Sequence, residues 1–188
     1  MTEPDPSFAS HRSDVLGEIV IYTGSNQDLL ARLYSCAARY MVIGSTAAWY
    51  RVPGWPEPND LDIVIDPTEE TARKVAEAVN KIEGMVVVAD AKLLARPNTG
   101  FPSKRTLNVD VLTPILGFDF AEHWGLAEDV SMAYTTHTGT VVRVASIATL
   151  IAWKRLAMPR EPTRADKIGC EIERLEEAAR NPPWTRPL

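Results

Sequence analysis

What this sequence has least of is cysteine, histidine and uncompensated positive charge. Two cysteines, Cys36 and Cys170, stand far apart without metal-type spacing, which leaves no material for a disulfide framework or a cysteine-based zinc centre. Each falls in a helix-like context, so its expected role is that of a small buried apolar residue. A reducing, cytoplasmic setting is the accompanying expectation. The histidines His11, His123 and His137 are scattered with no ligand spacing, and none is assigned a role. Lys and Arg number 20 against 25 Asp and Glu, a net charge of −5, so the basic surface of a dedicated duplex-DNA binder is missing. No apolar run approaches the ~18 to 20 residues that would span a bilayer, and no membrane partner is expected. The opening "MTEPDPSFASHRSD" has no apolar centre of the kind a secretion signal needs, and residues 1–16 read as a mobile polar lead-in.

Internal repeats, low-complexity blocks and a second-domain linker are missing too. With 188 residues, 45% of them hydrophobic, the chain can bury one sizeable core. Residues 17–188 are expected to form a single domain whose C-terminal helices begin at about residue 146.

The elements follow from periodicity. "GEIVIYTGS" (17–25) reads as a strand. "NQDLLARLYSCAARY" (26–40) places Leu29, Leu30, Leu33, Cys36 and Ala37 at helical spacing, with Asn26 as the expected cap. "MVIG" (41–44) is a buried-type strand, "STAAWYR" (45–51) a short helix, and "VPGWPEPN" (52–59) a loop, because its prolines and glycine prevent regular structure. "DLDIVID" (60–66) is a strand. "TEETARKVAEAVNKI" (68–82) is a helix, with Thr68 as cap and a stripe of Ala72, Val75, Ala76 and Val79. Strands are expected at "MVVVAD", "AKLLA", "LNVDVLT", residues 131–135 and residues 141–144, and helices at 147–158 and 163–180. Such interleaving predicts an α/β or α+β fold, with helices packed on a mixed sheet.

The chemistry concentrates in "VIGSTAAWYRVPGWPEPNDLDIVID" (42–66). Strand periodicity turns Asp60 and Asp62 to one face, about 7 Å apart at Cα, while Leu61, Ile63 and Ile65 face the core. Two carboxylates facing one way repel unless a cation sits between them. Mg²⁺ suits them, since it takes carboxylate oxygens and keeps positions open for water and phosphate. Asp110, alternating with Val109 and Val111 in "LNVDVLT", offers a third carboxylate from a neighbouring strand. Three acids around one or two metals suit in-line phosphoryl or nucleotidyl displacement. Gly44 permits close backbone approach, the following helix presents free N–H groups to an anion, and Ser45 can donate to a phosphate oxygen.

The order strand, Gly44-Ser45, helix, loop, Asp60-x-Asp62 strand, then a later strand carrying Asp110, resembles the nucleotidyltransferase superfamily related to DNA polymerase beta. More narrowly, it resembles the small bacterial and phage-type nucleotidyltransferases that include abortive-infection toxins. The likeness spans about residues 40–170 and extends to "VASIATLIAWKRLAMPREPTRAD", which is similar to the family's C-terminal helix pair. The resemblance implies transfer of a nucleoside monophosphate from an NTP, such as ATP, to a hydroxyl, with Mg²⁺ (or Mn²⁺) held by Asp60 and Asp62. Asp110 would complete the site as metal ligand or as base. Lys154 would face the nucleotide phosphates, and Arg160 with Asp166 would tie the next helix. Where many relatives carry Arg-x-Thr before the paired acids, this chain has Pro56 and Pro58. Either Arg51 substitutes from the preceding helix, or that phosphate contact is absent.

Blander readings stand beside these. Lys154 among Ile151, Ala152, Leu156 and Ala157 equally suits a snorkelling surface lysine. Trp49 and Tyr50 read as core, whereas Trp55, in the proline-rich loop, is a candidate for base or acceptor contact. Lys154, Arg155, Arg160, Arg164 and Lys167 form one basic stretch, and Arg96, Lys104 and Arg105 another. Each alone suits a solvated face; together they lean toward an RNA 3′ end as acceptor, over a protein or a small molecule. The rival readings are a fold relative without turnover, serving as a nucleotide-binding or toxin–antitoxin module, and a metal-dependent phosphohydrolase.

Overall fold

The computed structural model describes residues 24–82, 90–97, 100–102, 109–131 and 139–181. The lead-in at 1–16, the strand expected at 17–25 apart from its last two residues, and the strand expected at 85–90 apart from Asp90 lie outside the described residues. In chain order the elements are α1 (Gly24–Ser35), β1 (Tyr40–Ile43), α2 (Gly44–Arg51), β2 (Leu61–Ile65), α3 (Glu69–Asn80) and α4 (Ala91–Leu94). There follow β3 (Gly100–Pro102), β4 (Val109–Leu112), α5 (Phe120–Gly125), β5 (Glu128–Ser131), β6 (Val141–Val144), α6 (Ile147–Ala157) and α7 (Ala165–Arg180). Two short 3₁₀ turns join α6 to α7.

The six strands form one mixed sheet in the order β3-β4-β2-β1-β6-β5. β2 runs parallel to β4, and β1 runs parallel to β6. The pairs β1–β2, β3–β4 and β5–β6 are antiparallel. With helices packed around it, this sheet gives the expected α+β class. β1 is buried at every position, and β2 at every position except Asp62. Near-continuous apolar runs of this kind belong at the centre of a sheet covered on both faces. A polar residue tolerated in the middle of such a run is the first sign of a site.

Local chemistry explains where the elements depart from the expected ones. Asn26 lies inside α1 and is wholly buried, so it does not cap that helix. "AKLLA" forms the single turn α4 and not a strand, because the Asp90 side chain accepts from the Lys92 N–H at 2.8 Å and starts a helix. Asp119 does the same for α5, which sequence periodicity did not anticipate, accepting from the Glu122 N–H at 3.0 Å. Of the strand expected at 131–135 only Ser131 is described, as the last residue of β5, which pairs with β6; residues 132–135 lie outside the described residues. Neither cysteine is the fully buried residue expected: Cys36 is half-buried, and Cys170 is exposed on α7. Thr68 caps α3 as its sequence suggests, accepting from the Thr71 N–H. Among the described residues no helix is long and apolar enough to cross a membrane.

α1 ends in a Schellman turn, with Ala38 N–H bonded to Leu33 O at 2.9 Å and Ala37 N–H to Tyr34 O at 3.0 Å. This turn swings the chain into β1 and requires a left-handed residue at position 37, where alanine sits at φ +50°. A side chain costs about 1 to 2 kcal/mol in that region, of which glycine's extra backbone entropy would return about half to one. Ala37→Gly is therefore expected to stabilise the fold by roughly 0.5 to 1 kcal/mol in urea denaturation. An unchanged or lower midpoint would show that Ala37 carries no strain.

Candidate functional site

β2 brings the acids together. Its parallel register with β4 places Asp62 beside Asp110, and register partners on adjacent parallel strands point to the same face, about 4.8 Å apart. Both are half-buried. The row continues on both sides: Pro102 of β3 partners Asp110, and Ile43 of β1 partners Asp62. Immediately after Ile43 comes Gly44, the first residue of α2, at φ +66°. A Cβ on Gly44 would stand 2.0 Å from Asp62 Oδ2. Glycine is therefore required twice over, by its backbone angle and by the carboxylate packed against it.

The start of α2 thus abuts the Asp62 carboxylate. Ile43, at the cap position, offers no side-chain acceptor to the first turn, so the amide ends of α2 remain to be satisfied by other groups. Their partial positive charge favours anions nearby. Ser45 is half-buried in that turn, and the next residue, Thr46, is wholly buried, its Oγ1 donating to the Asp60 carbonyl at 2.8 Å. Asp60 itself lies just ahead of β2.

The acids make an adjacent pair with a neighbour, and not a closed cage. Among the described residues no three His, Cys, Asp or Glu side chains gather into a group that could hold a metal ion. The pair fits a hard divalent cation through its all-oxygen donors and half-buried setting, given that Mg²⁺ commonly takes one or two carboxylates and completes its shell with water and phosphate.

The expected phosphate cations are engaged elsewhere. Arg51 closes the end of α2 onto the far side of the sheet. Its Nε donates to Ala145 O at 3.0 Å, its Nη2 to Val144 O at 2.9 Å, and its Nη1 pairs with Glu128. A guanidinium so divided among two carbonyls and a carboxylate is a clamp between α2, β5 and β6. Lys154 does not snorkel; its Nζ meets Glu171 Oε2 of α7 at 2.6 Å, with both side chains largely buried. The tie between the two C-terminal helices therefore runs through Lys154–Glu171 and Arg155–Glu176, and not through Arg160 and Asp166, which are exposed.

The basic stretch is largely self-neutralised. Arg155 pairs with Glu176, Arg164 with Glu161, and Lys167 lies 3.8 Å from Glu171. Of the second cluster, Arg96 is exposed, and Lys104 and Arg105 lie outside the described residues. Trp55 is no base platform: it is buried in the core, and Arg174 of α7 lies 5.2 Å from its ring centroid while donating to Gly54 O. Trp49 and Tyr50 pack against the core as expected. His123, assigned no role, stacks on Phe118 at 4.3 Å and lies 3.2 Å from Thr149 Oγ1.

Sequence reasoning missed Thr46 and Glu171. Thr46 gave one signal, a hydroxyl in the first turn of a helix that follows a Gly-Ser. Glu171 gave none, since its partner lies 17 residues away on another helix.

Three substitutions probe this arrangement. Gly44→Ala is expected to destabilise the fold by about 1 to 3 kcal/mol in chemical denaturation, from the left-handed backbone and the collision with Asp62; a wild-type midpoint would show that the Asp62 carboxylate swings clear at no cost. Glu171→Gln and Lys154→Ala should each destabilise α6–α7, by up to about 3 kcal/mol, because each strands a buried charge. If Lys154 serves only this pair, both variants will keep wild-type NTP affinity in calorimetry; a loss confined to Lys154→Ala would return the lysine to the phosphates.

Comparison of this chain with protein-family models, with curated proteins and with solved structures finds no match in any of the three.

Proposed function

We propose that this protein is a metal-dependent nucleotidyltransferase, moving a nucleoside monophosphate from an NTP to a hydroxyl acceptor. The observation that carries the reading is the register of Asp62 with Asp110 beside the Gly44-Ser45 start of α2. Like charges in register destabilise a sheet by a few tenths to about 1 kcal/mol. A fold that keeps them half-buried, against a helix N-terminus, has a use for them that stability does not supply.

Asp62 and Asp110 would hold Mg²⁺ or Mn²⁺, with Asp60 at the edge of the seat. Such an ion neutralises triphosphate charge and lowers the pKa of an attacking hydroxyl. The chain's own groups do the rest. The bare Cα of Gly44 leaves room for a phosphate, and Ser45 Oγ donates to a phosphate oxygen together with the first amides of α2. The acceptor hydroxyl gives its proton to the Asp110 carboxylate as its oxygen bonds to the α-phosphorus, and the bond to the bridging oxygen breaks to release pyrophosphate. The pairing of the C-terminal cations removes the reason to prefer RNA, and leaves RNA 3′ ends, protein hydroxyls and small-molecule hydroxyls as acceptor classes.

A second reading has its own observation. Lys154, which the resemblance would aim at the phosphates, and Arg51, the candidate substitute for the family's missing arginine, are both engaged in the scaffold. That favours a nucleotide-binding module without turnover, of the kind found in toxin–antitoxin pairs.

Incubation with each α-labelled NTP, with and without Mg²⁺ or Mn²⁺, separates the readings when all three acceptor classes are supplied. The expected result is metal-dependent label on an acceptor, falling by more than about 100-fold in Asp62→Asn, a loss beyond that of disturbing a metal's outer shell. The melting temperature of Asp62→Asn should stay level or rise, because a like-charge pair is relieved. Bound but untransferred NTP would establish the module reading, and release of phosphate without transfer would establish a phosphohydrolase.

A further inference from the structure

α1 and α3 face each other across a cleft of about 450 Å³, a volume in the range of small-molecule sites. Ala31 and Ala78, both buried, line it where larger side chains would close it. Around them stand three cations, Arg32, Lys74 and Lys81, two acids, Asp28 and Glu77, and the half-buried thiol of Cys36. Lys74 pairs with Glu70 and Glu77 with Arg73, each within α3. Arg32 and Lys81 are exposed and have no carboxylate partner among the described residues. Arg32 precedes Cys36 by one helical turn, and Lys74 Nζ donates to the carbonyl of Ala37, the next residue, at 3.3 Å. Partly exposed thiols in electropositive surroundings are the ones that undergo exchange.

A second group calls for a ligand here. Strand alternation turns Tyr40, three residues before Ile43, to the face of the sheet opposite Asp62, the register partner of Ile43. The Tyr40 side chain is 3% exposed, and its hydroxyl has no hydrogen-bond partner among the described residues. Burial, and after it the nearby Cys36, push its ionisation well above the ordinary tyrosine range, so the hydroxyl stays a neutral donor close to the thiol. A buried donor without an acceptor is unfavourable, and an acceptor brought in at Cys36 would relieve it.

We propose that Cys36 is a reversible modification site in the α1–α3 cleft, taking an anionic thiol of low molecular weight as a mixed disulfide. The Cys36 thiolate attacks one sulfur of that thiol's symmetrical disulfide. The new S–S bond forms as the old one breaks, and the departing thiolate takes up the proton that Cys36 gave. Arg32 and Lys81 attract the carboxylates of the incoming group, and its sulfur offers the Tyr40 hydroxyl the acceptor it lacks. The site lies apart from the acids and does not depend on the nucleotidyltransferase reading.

Cys170, the only other cysteine, is exposed on α7 and supplies an internal reference. Cys170→Ser leaves Cys36 as the sole thiol, and Cys36→Ser leaves Cys170. Each protein is mixed with glutathione disulfide (acidic), 2-hydroxyethyl disulfide (neutral) or cystamine (cationic), and adduct formation is timed by intact-protein mass spectrometry. The acidic-to-cationic rate ratio at Cys36 is expected to exceed that at Cys170 by about 10-fold or more, the size of a local field's effect on encounter. Replacing both Arg32 and Lys81 by alanine, or raising the salt, should bring the acidic and cationic rates at Cys36 within about 2-fold of each other. Tyr40→Phe should keep the melting temperature level or raise it, while dithiothreitol releases the adduct about 5-fold faster, the worth of one hydrogen bond. Equal ratios at the two cysteines, or a preference at Cys36 that survives loss of both cations, would overturn the proposal. So would a Cys36 that no disulfide modifies where Cys170 reacts, or an adduct released no faster from Tyr40→Phe.

Discussion

Two carboxylates side by side on neighbouring strands set terms that the surrounding structure has to meet. Asp62 and Asp110 share a register position near the middle of the six described strands of the sheet, where the flanking positions are buried and apolar. Water can solvate them from one side only. The features that make the pairing tolerable lie within a few residues: the start of α2 with its partial positive charge, the absent side chain at Gly44, and register neighbours, Pro102 and Ile43, that carry no further charge. Each favours negative charge or makes room for it. The site can be understood as this one repulsion and the groups arranged around it.

The cations of the molecule tell the complementary half. Arg51 secures the end of α2 to β5 and β6, Lys154 secures α6 to α7, and Arg174 secures α7 to the proline-rich loop at Gly54 and Trp55. All three fasten pieces of backbone that bear on the site. α2 is held at its far end by Arg51 and near its start by Thr46, so its N-terminus is fixed relative to Asp62. Long basic side chains lose less by serving as fixed struts when their charges are matched at close range and shielded from water. Stretches of sequence that look like an open basic face can therefore be internal fastenings.

Much of the fold was legible because its causes are local. The apolar stripe and Thr68 cap of α3, the unbroken apolar run of β1, and the prolines of residues 52–59 each act within a few residues. For the same reason the Asp60-x-Asp62 alternation and the Gly44-Ser45 turn were visible as candidates. The misreadings have local causes as well. Asp90 and Asp119 cap short helices whose side-chain pattern is too brief to show a period. Asn26 had the chemistry of a cap but was drawn into the core.

The sequence by itself determined which residues could be acidic, turn-forming or apolar, because backbone preference and side-chain chemistry are carried by each residue and its near neighbours. Only the tertiary structure decided which of them meet. Asp62 faces Asp110 because β2 chose β4 as its parallel partner, and a shift of one residue would have turned Asp110 to the opposite face. Arg51 finds Glu128 at a separation of 77 residues, and Lys154 finds Glu171 across a helix pair. Charge pairing depends on distance in space and on exclusion of water, and neither quantity exists until the chain has folded.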